Sequence, residues 1–412
     1  MKMLKTAALA SAVAALTGTT AFAGCGLSGG SVRILSNDFA AIHAVAAGAE
    51  ACAGGGVTVT ANQTTEHKDI QVAALTANPA EYTTAVVANS SIVSLLNGGL
   101  IRPLDDLVAK HGQGLGKNQM ITIDGKIMAI AFMANAQHLY YRKDVLEKAG
   151  VAVPTTYEDV LAAAKAIQAA GLMDHPFALN SKAGWNLGEE FVNMYLGYGG
   201  AFFKPGTAEV AINNAQGVAT LNMLKALMDV SNPDFLTFDS NATAALWESG
   251  QIALATMWGS RGGGILDNEG STAEIVGSTV LAGAPTVGGG SIPASTLWWD
   301  GFTIAKNISD EDAEATFVAM LNGISEDVIK ANNDKAVWLS KAYVPSAASE
   351  GVAETASAGA EPYPMLPYMG LLHTALGNEM SDFLQGKESA EQALADIEAA
   401  YSTAAKEQGF LK

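Results

Sequence analysis

One stretch limits the folds open to this chain more than any other: residues 118–150, NQMITIDGKIMAIAFMANAQHLYYRKDVLEKAG. Ile121 and Ile123 alternate with polar residues, and Asp124-Gly125 then supplies the dipeptide of a tight hairpin turn. The apolar run 126–132 is the returning strand. Ala134-Asn135-Ala136-Gln137 is small and polar, so it reads as a segment crossing between two structural units and not as core. Leu139-Tyr140-Tyr141 is a short aromatic strand, and a brief helix runs from Asp144 until Gly150 stops it. At 412 residues the chain is too long for one ordinary domain, and two are expected.

The region before this stretch alternates strands with helices, the pattern of an α/β unit. Residues 31–37 (SVRILSN) form a strand that ends at Asn37-Asp38-Phe39, before a helical segment. Asn37 and Asp38 are placed to cap that helix. They also stand where a parallel sheet opens toward ligand, outside the carboxyl ends of its strands. A second strand, 57–61, leads to Thr64-Thr65-Glu66-His67-Lys68-Asp69 and another helix. Glu66, His67 and Asp69 resemble a metal or acid–base cluster, yet no second His or Cys stands at ligand spacing. A helix N-terminus attracts acidic groups in any case. Glu66 keeps a role as a hydrogen-bonding residue for a ligand. A third strand, 82–88, ends at Asn89-Ser90-Ser91, where small polar groups cap the next helix or face a ligand. Further on, Thr155 with Glu158 and Ser389 with Gln392 read as capping boxes. Residues 351–361, rich in Gly, Ala and Ser, read as surface.

Several segments carry a family resemblance: LLNGGLIRPLDDL (95–107), VPTTYEDVLAAAKAI (153–167), ALWESGQIALATMWGS (245–260), TLWWDGFTIA (296–305), KAYVPS (341–346) and NEMSDFLQGKESAEQAL (378–394). Together with 118–150 they resemble the bacterial extracellular solute-binding proteins, in particular the carbohydrate-binding group that includes the maltose-binding proteins. The resemblance implies a type II periplasmic-binding-protein fold: two α/β lobes joined by three hinge crossings, at 118–150, 296–305 and 341–346. It divides the chain into an N-terminal lobe (24–132 with 302–343) and a C-terminal lobe (133–301 with 344–412). It implies the substrate-binding component of an ABC importer, a monomer without a cofactor. A sugar, oligosaccharide or polyol would lie between the lobes and pass to the membrane permease. Asp300-Gly301 stands where the family often has paired glycines.

The formal charge of −18 argues against nucleic acid and anionic membrane surfaces as partners. Residues 1–23 have a basic start, a short apolar run and a closing Ala21-Phe22-Ala23, which reads as a secretory signal peptide. Export makes a disulfide between Cys25 and Cys52 the first reading, closing a loop of roughly 28 residues worth about 3 kcal/mol. The alternative is acylation of Cys25, which Ala23-Gly24-Cys25 loosely permits and which would leave Cys52 unpaired.

Catalytic signatures are missing from the sequence. It has no G-x-S-x-G elbow and no P-loop, and its six histidines lack metal-ligand spacing. Glu189-Glu190 reads as a solvated helix face, since adjacent helical side chains point about 100° apart. What remains is a set of aromatics at strand and loop junctions: Trp185, Trp258, Trp298, Trp299, Tyr140 and Tyr368. An indole buries the apolar C–H face of a sugar while Asn, Asp, Glu and Arg bind its hydroxyl rim. Core packing is the competing reading for each aromatic. Trp258 and the Trp298-Trp299 pair stand out because they flank glycines at strand ends. The expected ligand set is Asn37, Asp38, Glu66, Asn89, Asn135, Trp185, Trp258, Trp298, Trp299 and Asp300. The alternatives are a binding protein for a polyamine or metal chelate, and an exported glycoside hydrolase using Glu66 and Asp300.

Overall fold

A computed structural model describes residues 25–412; the expected signal peptide lies outside the described residues. The strands that position the site are β1 (Gly30–Ser36), β2 (Val57–Gln63), β3 (Thr84–Ala88), β4 (Met120–Ile123), β5 (Lys126–Arg142), β6 (Phe177–Ala178), β7 (Leu254–Trp258), β8 (Thr279–Ala282), β9 (Thr296–Phe302) and β10 (Val337–Trp338). Their order is β2-β1-β3-β9-β5-β7-β6. β1 is parallel to β2 and β3, β9 is antiparallel to β3 and β5, and β7 is antiparallel to β5 and parallel to β6. β4, β8 and β10 also pair with β5. The parallel strands are joined by helices such as Ala40–Glu50, as a right-handed crossover requires.

The two largest cores lie toward opposite ends of the β5–β9 pair. One gathers Val32, Ile34, Ile42, Ile130, Phe132, Phe302, Ile304 and Phe317. The other gathers Leu139, Tyr157, Phe177, Phe191, Leu254, Leu376, Leu394 and Tyr401. The chain thus enters each core more than once.

The hairpin forms as the sequence indicates. Asp124 and Gly125 both take positive φ, 50° and 75°, the mirror-image turn whose twist suits two adjacent strands. The polar passage after it is a correction. β5 runs unbroken for 17 residues through Asn135 and Gln137, and both are buried. A backbone buried between two cores must satisfy its N–H and C=O groups. Ladder pairing does this, with β9 alongside Ile130–Ala136 and β7 alongside Gln137–Tyr141. Gly301 sits in this pairing opposite Ala131. A Cβ there would lie 2.6 Å from the carbonyl oxygen of Ile130, so the close approach of β9 to β5 requires glycine.

Three local expectations also change. Thr156, not Thr155, caps the helix Tyr157–Ala169: its hydroxyl accepts from Asp159 N at 3.0 Å, and the Asp159 carboxylate accepts from Thr156 N at 3.2 Å. The chain turns helical one residue later than read, because Thr156 still has extended backbone. Helix Ala40–Glu50 is preceded by Phe39 without a side-chain cap, since Asn37 accepts from Asp38 N and Asp38 turns to His43. Residues 350–357 are a helix whose Gly351, Val352 and Thr355 are buried, and Gly351 lies so close to the His138 ring that no Cβ fits. Ser389 caps the last helix, accepting from Gln392 N at 3.2 Å, but the expected box stays half formed, because Gln392 Nε2 donates to Asp396 at 3.0 Å.

Cys25 and Cys52 form a disulfide across 27 residues of sequence. The bond takes up the thiol that acylation of Cys25 would need. Cys52 is fully buried and Cys25 is exposed, so Cys25→Ala removes the crosslink with little loss of packing. It should lower the unfolding free energy by about 3 kcal/mol. A urea midpoint equal to that of the wild type would refute this.

Candidate functional site

Where the strand ends of both cores meet, they enclose a cavity of about 510 Å³, within the size range of small-molecule sites. From the side of the parallel strands β1–β3 come Asn37 after β1, Thr65–Asp69 at the start of helix His67–Thr76, and Ala88 at the end of β3. β5 contributes Asn135, and β9 contributes Trp298 and Asp300. From the second core come Lys182–Asn186 at the start of helix Trp185–Gly197, Asp239 and Ser240, and Trp258, Ser260 and Arg261 at the end of β7. His373, Thr374 and Asn378 of helix Met369–Leu384 close it.

Three indoles dominate the wall. Trp185 and Trp258 are near parallel, with centroids 6.3 Å apart, and Trp298 stands edge-on to both at 5.6 Å. Trp298 is only 5% exposed. Its Nε1 donates to Glu189 Oε1 at 3.1 Å and to Thr296 Oγ1 at 2.7 Å, and Thr296 Oγ1 donates to the same carboxylate oxygen at 2.6 Å. The helix Trp185–Gly197 therefore fixes two indoles: Trp185 as its first residue, and Trp298 through Glu189 one turn on. Glu189 and Glu190 are fully buried, which corrects their reading as a solvated face. The helix lies under β9 with both residues inward, because ten of its residues face protein. Burial pushes the Glu189 carboxyl up to about 8 and the Glu190 carboxyl well above its ordinary range. Glu189 Oε2 is buried with no hydrogen-bond partner.

Charged groups ring the indoles. Asp300 is reachable by water yet surrounded by protein, and burial raises its carboxyl to about 7, against the pull of Lys68. Lys68 projects from the first turn of its helix and places Nζ 3.2 Å from the centroid of Trp185. Burial lowers its ammonium to about 8, while Asp300, Glu189 and Asp69 pull the other way. Arg261 donates to Ser240 Oγ at 2.7 Å and keeps a buried Nε without a partner. His67 and His373 are held neutral by burial, both at about 3.

Of the residues expected at a site, Asn37, Glu66, Asn135, Trp185, Trp258, Trp298 and Asp300 line the cavity. Asp38, Asn89 and Trp299 do not. Asp38 meets His43 at 2.6 Å on the surface, and Asn89 is buried with its amide donating to Leu297 O at 3.1 Å. Trp299 packs with Leu75 and Val87 in a separate cluster, because neighbours on a strand point to opposite faces. Asn135 is partly spoken for: its amide joins Ser260 N and Oγ at 3.2 Å each. Tyr140 is buried and donates to Trp258 O, and Tyr368 packs edge-on to Phe203, so neither faces the cavity. Lys68, Asp239, Arg261 and His373 escaped the sequence reading. Lys68 had a signal: a cation in the first turn of a helix opposes the macrodipole and needs a compensating partner.

The family model for bacterial extracellular solute-binding proteins matches residues 35–324, most of the chain. The chain belongs to that family. The chain spans about half the length of the curated relatives it matches first, such as a probable ABC transporter-binding protein of Deinococcus radiodurans, 27% identical over 50% of this chain and 49% of the relative. A mannitol-binding protein of Pseudomonas aeruginosa is 24% identical over 75% of each chain. Among solved structures, maltose-bound MalE3 of T. maritima is similar over 91% of this chain and 99% of that one, with a TM-score of 0.78 at 19% identity. This solute-binding protein therefore has the two-lobed α/β fold, and its cavity lies in the cleft where the two cores meet. Among the described residues no helix is long and apolar enough to cross a membrane.

Proposed function

We propose that this protein is the periplasmic substrate-binding component of an ABC importer and that it takes a sugar or polyol in the cleft. One observation carries the reading: three indoles in mutual contact stand beside carboxylate, amide, ammonium and guanidinium groups in one cavity of about 510 Å³. Indole faces suit the C–H surface of a saccharide, and the mixed rim suits hydroxyls, which both donate and accept. The mannitol-binding relative supports polyols within this class. The lobes are assigned as 24–132 with 302–343 and 133–301 with 344–412, after removal of residues 1–23 as a signal peptide. They close on the solute by hinge motion, as a monomer that docks on the permease. Asn37, Glu66, Asn135 and Asp300 contact hydroxyls, and Trp258 supplies the stacking face. Catalysis by Glu66 and Asp300 forms no part of this reading.

The test is the melting temperature of ligand-stripped protein against sugars, polyols, amino acids and polyamines. A solute at about 100 times its Kd stabilises the fold by about 2.7 kcal/mol. A rise confined to one class of sugar or polyol is the expected result. A rise with a polyamine alone, or turnover of a glycoside, would overturn the assignment.

A further inference from the structure

The Trp185 ring has no free face. His373 lies nearly parallel to it, 18° between planes, at a centroid distance of 4.9 Å. Lys68 Nζ stands 3.2 Å from the ring centroid, which places it directly over the π-face, since no non-bonded atom in the ring plane comes so close. The imidazole and the ammonium would collide on one face, so they cover opposite faces. Lys68 Nζ is also 5.9 Å from the Trp298 ring. Among the described residues it has neither an ion pair nor a hydrogen bond. An ammonium on an indole is held by the ring quadrupole, most strongly when desolvated. Two carboxyl groups stand nearby: Asp300 on the cavity wall, and Glu189 bonded to the Trp298 indole. Lys68 stands on helix His67–Thr76, beside the β1–β3 strands, and Trp185 on helix Trp185–Gly197 of the second core, so the contact spans the cleft.

We propose that Trp185 and Trp298, with Asp300 and Glu189 beside them, form an ammonium-binding box in the cleft, and that Lys68 is its resident cation. The consequence, which builds on the sugar or polyol reading above, is a selection rule by charge. The cleft admits solutes that offer hydroxyl or carboxylate oxygens to the Lys68 ammonium. It rejects solutes that bring an ammonium to the same place, where two like charges would meet in a poorly hydrated space. Trp185 then acts as the seat of the lysine and not as a stacking platform for sugar.

Chemical rescue tests the box. Lys68→Ala vacates it, and Lys68→Met fills it with an uncharged chain of similar length. Neither leaves an unpaired buried cation, so both should fold. Each protein is titrated with n-propylammonium and with 1-propanol as its neutral counterpart, followed by tryptophan emission and melting temperature. Lys68→Ala should bind propylammonium saturably and at least tenfold more tightly than propanol, while the wild type and Lys68→Met show no saturable response. Equal binding of both probes by Lys68→Ala, no binding of either, or binding of propylammonium by the wild type would overturn the box. In the wild type, an amino-substituted analogue of whichever sugar raises the melting temperature should bind at least tenfold more weakly than its parent. The two readings fail separately: a silent sugar panel with successful rescue removes the sugar assignment and keeps the box, and the reverse outcome does the opposite.

Discussion

Between pH 6.5 and pH 8 the folded state is expected to lose stability, on the order of 2 kcal/mol, and the double variant Glu189→Gln, Glu190→Gln should lose far less. The two carboxyls sit side by side, fully buried, and burial raises Glu189 to about 8 and Glu190 well above its ordinary value. A carboxyl whose folded pKa is raised favours the fold while it is protonated in both states. That contribution declines once the unfolded chain ionises, and is lost as pH rises through the folded pKa. Asp300, raised to about 7, acts in the same direction over the lower part of the window. The buried histidines act elsewhere. His67 and His373, lowered to about 3, and His138, lowered to about 4, cost stability only as pH falls below their unfolded value near 6.5. Lys68, lowered to about 8, regains stability for the fold only between about 8 and its unfolded value of 10.5. Above pH 6.5 the histidines and Lys68 contribute only the tails of their titrations, in the opposite direction, and the carboxyls dominate. Glu189 alone, at about 1.4 kcal/mol per pH unit over about 1.5 units, gives about 2 kcal/mol, and Glu190 and Asp300 add in the same direction. Denaturant unfolding of both proteins at pH 6.5 and 8.0 measures it. A wild-type free energy unchanged across this window would mean that neither carboxyl is held protonated in the fold.

That buried pair also shows where sequence reading stops. Helix positions 189 and 190 carry two charges, and local rules place charges in water. The helix lies inward because β9 and helix Met369–Leu384 pack over it, facts set by residues more than 100 positions away. The same holds for β5. Its polar tetrad looks like a passage because nothing within ten residues announces the ladder partners β7 and β9. Features decided locally were legible: the Asp124-Gly125 turn, the Gly150 stop, the alternation of strand and helix, and the cap at Ser389. The site was legible by half. Trp185, Trp258 and Trp298 were found as aromatics at element ends, but strand parity assigns Trp298 to the cavity and Trp299 away from it. That assignment follows only when the register of β9 against β5 is known. Asp38 satisfied the pattern of a residue at the mouth of a parallel sheet, yet His43 one helical turn along offered a nearer partner.

Trp258→Ala should weaken binding of the solute by about thirtyfold or more, on the order of 2 kcal/mol, with the fold intact. The three indoles are not equivalent. Trp185 is covered on both faces, by His373 and Lys68. Trp298 is wedged between Trp185, Trp258 and Tyr363, its N–H committed to Glu189 and Thr296. Trp258 ends β7 at the cavity wall and is partly exposed there, and its tie to the protein is its backbone carbonyl, which accepts from Tyr140 at 2.9 Å and survives truncation of the ring. Its side chain is thus the indole free to meet a ligand, and a desolvated aromatic anchor carries a large share of binding energy. Truncation should cost affinity and little stability. Trp299→Ala should do the reverse, since Trp299 packs against Leu75 and Val87 outside the cavity. Calorimetric titration of both variants with the solute found in the melting panel, alongside their unfolding midpoints, separates the cases. Full affinity in Trp258→Ala would remove Trp258 as the stacking face. Equal loss in Trp299→Ala would show that the tryptophans act through the fold, because Trp299 packs outside the cavity.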